Sequence, residues 1–187
     1  MAYFLPEQIV VSYLICLNKY SQSIFTSQSI TVDQLIDEAL KPLAIALDLH
    51  DIKLFRSGEG MVNCDLAWTA EAFGNILKNC IEHTELGGTI KIQTEQNPVF
   101  TQIVISDNGS GFTAEDLPHI FERFYKGKNS NKSSFGVGLA LCRMILTEQN
   151  ATIKASNNEP HGASFIIHFY HQQALQNWWW RRPSIKE

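Results

Sequence analysis

Residues 100–111 read FTQIVISDNGSG. The apolar centre Ile103, Val104 and Ile105 predicts a strand over 100–106, and that strand ends on a carboxylate at Asp107. Gly109 and Gly111 then remove side chains where a ligand or a tight backbone must approach. Asp, Asn and Gly are also ordinary turn formers. By itself the stretch gives a buried strand, a sharp turn and an acidic group at a sheet edge.

Working outward, Asn97 and Pro98 turn the chain from an alternating strand over 89–95, itself led in by Gly87 and Gly88. Downstream the pattern predicts a short helical stretch, a polar segment over 126–134, and a helix opened by Gly136, Val137 and Gly138 that runs to about Glu148. Two strands close the pattern, near 152–156 and 164–170, around a turn at 157–162. Upstream, Asp65 caps a long helix over 66–83 with a core stripe of Leu66, Ala70, Phe73, Ile76, Leu77 and Cys80. Before it, Thr31 and Gln34 form a capping-box pattern that starts a helix reaching 48, kinked or interrupted at Pro42. Strands around 52–55 and 61–64 follow. One sheet with helices on a single face accounts for this order: an α+β, two-layer sandwich with a mixed sheet and three main helices.

The flanks are different. Leu5, Ile9, Val10, Tyr13, Leu14 and Leu17 share one helical face over 4–20, and Pro6 suits a first turn. The Ser-rich stretch 21–30 reads as a linker. The tail from about Gln172 fits neither period, and its Trp178, Trp179 and Trp180 beside Arg181 and Arg182 read as an irregular terminus or a membrane or partner contact. The expected division is therefore 1–22, a linker 23–30, a main domain 31–171 and a tail 172–187.

The 187 residues are 44% apolar and 18% charged, the composition of an ordinary globular protein. A formal net charge of -4 gives no electrostatic case for nucleic acid. A local basic cluster does stand at Lys126, Lys128 and Lys132. Cys16, Cys64, Cys80 and Cys142 show no paired spacing and read as buried free thiols of a reducing cytosol. The six histidines lack metal-ligand spacing. There is no basic n-region, and the apolar run 9–17 is too short to span a bilayer, so a cytoplasmic location is expected, with a membrane-anchored parent protein compatible.

On the helix over 66–83, Asn75 and Asn79 stand one turn apart, and Glu82 and His83 extend that polar face opposite the core stripe. A solvated face explains this pattern; so does an amide oxygen offered to Mg²⁺, with phosphates supplying the charge. Gly136, Val137, Gly138 and Leu139 open a helix whose exposed N–H groups suit a phosphate chain. Gly162, Ala163, Ser164 and Phe165 enter the last strand in a similar small-residue pattern.

The order of these pieces resembles the ATP-binding domain of sensor histidine kinases. An Asn-bearing helix precedes the Asp107 turn; Ile120, Phe121, Glu122, Arg123 and Phe124, the polar segment, Gly-x-Gly-Leu and Gly-x-Ser-Phe follow. The match covers 31–170 and corresponds in sequence to that family's N, G1, F, G2 and G3 boxes. It implies the Bergerat ATP-binding fold, ATP and Mg²⁺ as cofactors, and a protein histidine kinase activity. It further implies that Asp107 accepts from the adenine amino group, with Gly109 and Gly111 in its turn, and that Asn79 holds Mg²⁺. Asn75 would line the phosphate end, and His83 would take the place of an aromatic beside adenine. Arg123 would approach the phosphates, with Asn79 the catalytic pair implied, and Lys126 and Lys128 would add charge. Phe121 and Phe124 would pack beneath a lid hinged at Gly136 and Gly138, with Leu139 and Ser164 also at the nucleotide.

Two departures qualify the resemblance. Glu82 stands where many members carry a basic residue, and Asn75 replaces the carboxylate by which related ATPases activate water, so rapid hydrolysis is not expected. His50, followed by Asp51, Ile52 and Lys53, looks superficially like a phosphoacceptor site. It lacks the family's proline, and Ile52 and Leu54 alternate as a strand does. The acceptor is thus expected on a separate, dimerising histidine-bearing domain, in the parent protein or in trans, with a response regulator receiver domain as the next partner and a homodimer formed through the dimerisation domain. A serine kinase of the anti-sigma type and a non-catalytic nucleotide-sensing module are the competing readings.

Overall fold

The computed structural model describes residues 25–127 and 136–171. The expected helix over 4–20, Cys16, Lys128, Lys132, most of the polar segment and the tryptophan-bearing tail lie outside the described residues. In chain order the elements are β1 (Gln28–Thr31), α1 (Val32–Leu40), a 3-10 turn (Lys41–Leu43), α2 (Ala44–Leu49), β2 (Lys53–Ser57), β3 (Met61–Cys64) and α3 (Leu66–His83). They continue as β4 (Thr89–Gln96), β5 (Phe100–Asp107), α4 (Gly138–Glu148), β6 (Ala151–Asn157) and β7 (Ala163–Tyr170).

Local chemistry sets the helix ends. The Thr31 hydroxyl accepts from Gln34 N at 3.1 Å while Gln34 Oε1 accepts from Thr31 N at 3.1 Å, a complete capping box. Asp65 caps α3 by accepting from Trp68 N at 3.1 Å. Pro42, without an N–H to donate, tightens the chain into the 3-10 turn between α1 and α2.

Five strands form one sheet in the order β2-β4-β5-β7-β6, while β1 and β3 pair separately. Only β2 and β4 run parallel among these pairs, joined through β3 and α3. Along β5 every second residue is buried, ending at Asp107, and Ile103 and Ile105 are fully enclosed. They join Ile90 and Ile92 of β4, Phe165 and Ile167 of β7, and Leu35, Phe73, Ile76, Leu77, Ile145 and Leu146 of the helices in one core. Each such side chain contributes roughly 1.5–3 kcal/mol by leaving water. The two-layer α+β reading of the sequence holds.

Two segments differ from their sequence reading. Residues 28–30, composed like a linker, pair with β3, and Ile30 is buried opposite Val62. A two-stranded ribbon needs only one inward side chain here, so no alternation marks it. The expected short helix after the Asp107 turn is a series of turns instead. Leu117 N reaches Thr113 O at 3.0 Å, but the next links, from His119 N to Asp116 O and Glu122 N to His119 O, each span three residues at 2.8 Å. Pro118 supplies no donor and steers Leu117 away from helical torsions.

Candidate nucleotide site

Asp107 closes β5 with its side chain on the core face, only 6% exposed. Its Oδ1 accepts two backbone donors, Gly109 N at 2.9 Å and Ala163 N at 3.1 Å. Beneath it on α3, the enclosed Cys80 thiol faces the same carboxylate. Burial and the neighbouring Asp107 charge push that thiol well above its ordinary pKa, so it stays a neutral thiol beside the carboxylate. The two backbone bonds fix the carboxylate in orientation from the turn and from the neighbouring strand.

The turn is built by close approach. A Cβ at Gly109 would stand 2.2 Å from His83 O at the C-terminus of α3, and one at Gly162 would stand 2.1 Å from Asp107 O. Gly162 also has a φ of 103°, which favours glycine. Asn108 Oδ1 accepts from Thr89 N at 2.7 Å, and Asn158 Nδ2 donates to Asp107 O at 3.1 Å. Asn157 clamps the return of the turn, accepting from Phe112 N and donating to Phe112 O, both at 2.8 Å.

Asn75, Asn79 and His83 form a half-buried line along α3, while Glu82 points off it to solvent with Lys78 Nζ 4.0 Å away. Asn75 Nδ2 donates to Glu71 O at 3.0 Å, and its Oδ1 lies 3.3 Å from where a Cβ of Gly138 would stand. The Asn line therefore abuts the start of α4. That helix begins at Val137 without a side-chain cap, leaving the N–H groups of its first turn open. The Cys142 thiol donates to Ala72 O at 3.0 Å and locks α4 onto α3. The Asn79 amide makes no hydrogen bond to a described residue, so its oxygen is available as a neutral donor of the kind Mg²⁺ accepts.

The third group of expected site residues is the stretch before the polar segment. Ile120 is buried and Phe121 half-buried against the core, whereas Arg123 and Phe124 are exposed. Phe124 turns the chain with a φ of 64° and donates its N–H to Gly136 O at 2.9 Å. Leu139 packs against the core one residue into α4, and Lys126 is exposed with a partner of its own.

The structure thus lines up Asn75, Asn79 and His83 along α3, with Gly138 against Asn75 at one end and the Asp107–Gly109 turn against His83 at the other. It does not bring Ser164 there: the Ser164 hydroxyl donates to Asn158 Oδ1 at 2.5 Å on the opposite face of β7. Strand alternation puts Ala163 on the face of the buried Phe165, and its N–H is the group that meets Asp107. Counting back two residues from Phe165 identifies Ala163. Cys80 was legible only as a core position, since no local signal tells a thiol under a carboxylate from one in hydrocarbon. His50 is the C-cap of α2, and its carbonyl accepts from Gly87 N at 2.9 Å, a turn position between α2 and β2.

Residues 64–173 match the family described as histidine kinase-, DNA gyrase B- and HSP90-like ATPase. The heme sensor protein HssS of Staphylococcus saprophyticus is 33% identical over 129 residues, covering 69% of this chain and 26% of that protein. The chain thus spans about a quarter of that relative's length. The catalytic domain of histidine kinase ThkA shares the fold at a TM-score of 0.69 and 23% identity, over 78% of this chain and 95% of that one. The complex of ThkA with the response regulator TrrA superposes at 0.68 and 20% identity, over 88% of this chain and 47% of ThkA. Among the described residues no helix is long and apolar enough to cross a membrane.

Proposed function

The chain belongs to the histidine kinase-, DNA gyrase B- and HSP90-like ATPase family, and we propose that it is the ATP-binding catalytic domain of a two-component sensor histidine kinase. The observation that carries this reading is the span of α3. His83 supports the Asp107 turn at one end, and Asn75 meets the uncapped start of α4 two turns earlier, about 12 Å along the axis. That distance suits a purine at one end and a triphosphate at the other.

In this reading Asp107 accepts the adenine amino hydrogen through the carboxylate edge not taken by Gly109 and Ala163, and the His83 ring flanks the base. Asn75, Gly136 and the first turn of α4, at Gly138 and Leu139, face the phosphates. Arg123, with Lys126 and Lys128, supplies positive charge, and Phe121 and Phe124 frame the pocket's outer wall. Asn79 provides a single neutral oxygen to Mg²⁺, which when bound neutralises phosphate charge. Asn75 has no basic carboxylate to activate water, so the bound ATP is preserved for transfer. Catalysis then rests on positioning and electrostatics.

The γ-phosphoryl group goes to a histidine on a dimerising domain and from there to a receiver aspartate. HssS is named a sensor protein, and ThkA was solved with a response regulator; both support this assignment. A catalytic unit over 31–171, to which β1 is joined by its pairing with β3, and a cytoplasmic site of action belong to the same proposal.

The test is transfer of labelled γ-phosphate from ATP to separately supplied dimerisation domains and candidate proteins. An acid-labile product is expected. An acid-stable product identifies a serine kinase, and ATP binding without transfer identifies a nucleotide-sensing module.

A further inference from the structure

The turns over 113–127 contain a buried carboxylate that the nucleotide pocket does not use. Asp116 is 7% exposed and belongs to neither the Asp107 turn nor the Asn line. Its Oδ1 accepts the Tyr125 hydroxyl at 2.7 Å, and its backbone N–H is held by Thr113 Oγ1 at 3.0 Å. Gly127 packs on the same carboxylate: a Cβ there would stand 3.1 Å from Asp116 Oδ2. The Tyr125 ring lies against His119 with centroids 5.4 Å apart, and His119 Nδ1 meets Glu122 Oε1 at 2.8 Å.

Tyr125 also touches the far side of the polar segment. Gly136, with a φ of 68°, approaches so closely that a Cβ would stand 2.3 Å from Tyr125 O. The adjoining Phe124 N–H donates to Gly136 O. One tyrosine is therefore fixed through its hydroxyl to the turns before it and through its backbone to the entry of α4 after it. Arg123, exposed, lies between this tyrosine and the core-packed Phe121. With Ile120 and Phe121 anchored in the core and Tyr125 anchored on Asp116, the backbone at Arg123 is held on both sides.

We propose that Tyr125, through its hydroxyl bond to Asp116, is a positioning residue that presents Arg123 to the terminal phosphate of the nucleotide. The inference rests on the reading of Arg123 given above. The carboxylate is shielded from water and its bond to the hydroxyl is of the charge-assisted kind, so it holds the two residues firmly together. The hydroxyl is 9 residues from its acceptor in sequence, so its effect is to set the path of the chain between them. The base end of the pocket, at Asp107, lies outside this brace. Loss of the hydroxyl then affects ATP more than ADP.

The test is a cycle of Tyr125→Phe and Arg123→Ala in the full chain, read by titration calorimetry with ATP and with ADP in Mg²⁺, alongside melting temperature. In the wild-type background Tyr125→Phe should weaken ATP binding about three- to tenfold, the range of one positioned hydrogen bond, and leave ADP within about twofold. In the Arg123→Ala background the same change should have no further effect on ATP. Unchanged ATP binding in Tyr125→Phe overturns the inference. So does an equal loss for ATP and ADP, or a full additional loss in the Arg123→Ala background, since either marks a merely structural tyrosine. A wild-type chain that binds neither nucleotide overturns the underlying reading, a result distinct from all of these.

Discussion

Asp107 Oδ1 and the backbone N–H of Ala163 meet at 3.1 Å, joining residues 56 apart in the chain at the end of two neighbouring strands. With Gly109 N on the same oxygen, one edge of the carboxylate is committed to the protein and its direction is set before any ligand arrives.

An Asp107→Asn chain can keep both backbone bonds through its amide oxygen, but it then offers N–H where adenine needs an acceptor. ATP binding should weaken by about 1.5–3 kcal/mol, the worth of a charge-assisted hydrogen bond. Titration calorimetry measures it; an unchanged affinity removes adenine from this carboxylate.

Asn79→Ala deletes an amide oxygen whose only role in the proposed site is toward the metal. Binding of ATP should lose its dependence on Mg²⁺, while nucleotide binding in chelator should stay as in the wild type. Retained metal dependence moves the ligand to another residue.

Gly162→Ala places a methyl against the Asp107 carbonyl at a φ of 103°. The strain and the displaced turn should cost about 2 kcal/mol or more of stability and reduce ATP affinity as well. Denaturant unfolding checks the first and calorimetry the second. A chain as stable as the wild type contradicts the close approach.

The Cys64, Cys80 and Cys142 thiols are all raised above their ordinary pKa, each chiefly by burial. In a Cys16→Ser chain, thiol reagents at mildly alkaline pH should label slowly and reach these three only with denaturant. Fast labelling under native conditions argues against the described packing.

His168 bonds Gln102 Oε1 through Nε2 at 2.8 Å and lies 4.5 Å from the Phe100 ring. Burial and then the Lys154 charge lower its pKa. A folded value below the unfolded one means the unfolded chain binds the proton more readily, so stability from this group is full above the unfolded value, about 6.5. It is lost as pH falls through that value toward the folded one. NMR titration should give a midpoint below 6.5, and His168→Gln should soften the acid loss of melting temperature. A midpoint at or above the ordinary value rules this out.

The sequence was most legible where the controlling chemistry is local. The Thr31 box and the Asp65 cap are written within four residues of the helices they start, and α3 and α4 fall where their stripes and glycines place them. Legibility fell where a partner far along the chain decides. Gln28, Ser29 and Thr31 become strand because Met61–Cys64 runs beside them. Ser164 looked like the polar member of its box, but the pleat turns it to Asn158 and leaves a main-chain N–H at Ala163 for the site. The Tyr125 bond to Asp116 depends on a chain reversal at Phe124, which has an unusual torsion for a non-glycine residue.

The bond from Ala163 to Asp107 also carries a sense of time. Synthesis proceeds from the N-terminus, so Asn75, Asn79, Asp107 and Arg123 all leave the ribosome before the strand that orients the acceptor. In the proposed reading, a nascent chain halted short of β7 has only the Gly109 donor on Asp107 Oδ1, and gains the Ala163 donor that completes the aim of the adenine acceptor when that strand pairs with β5.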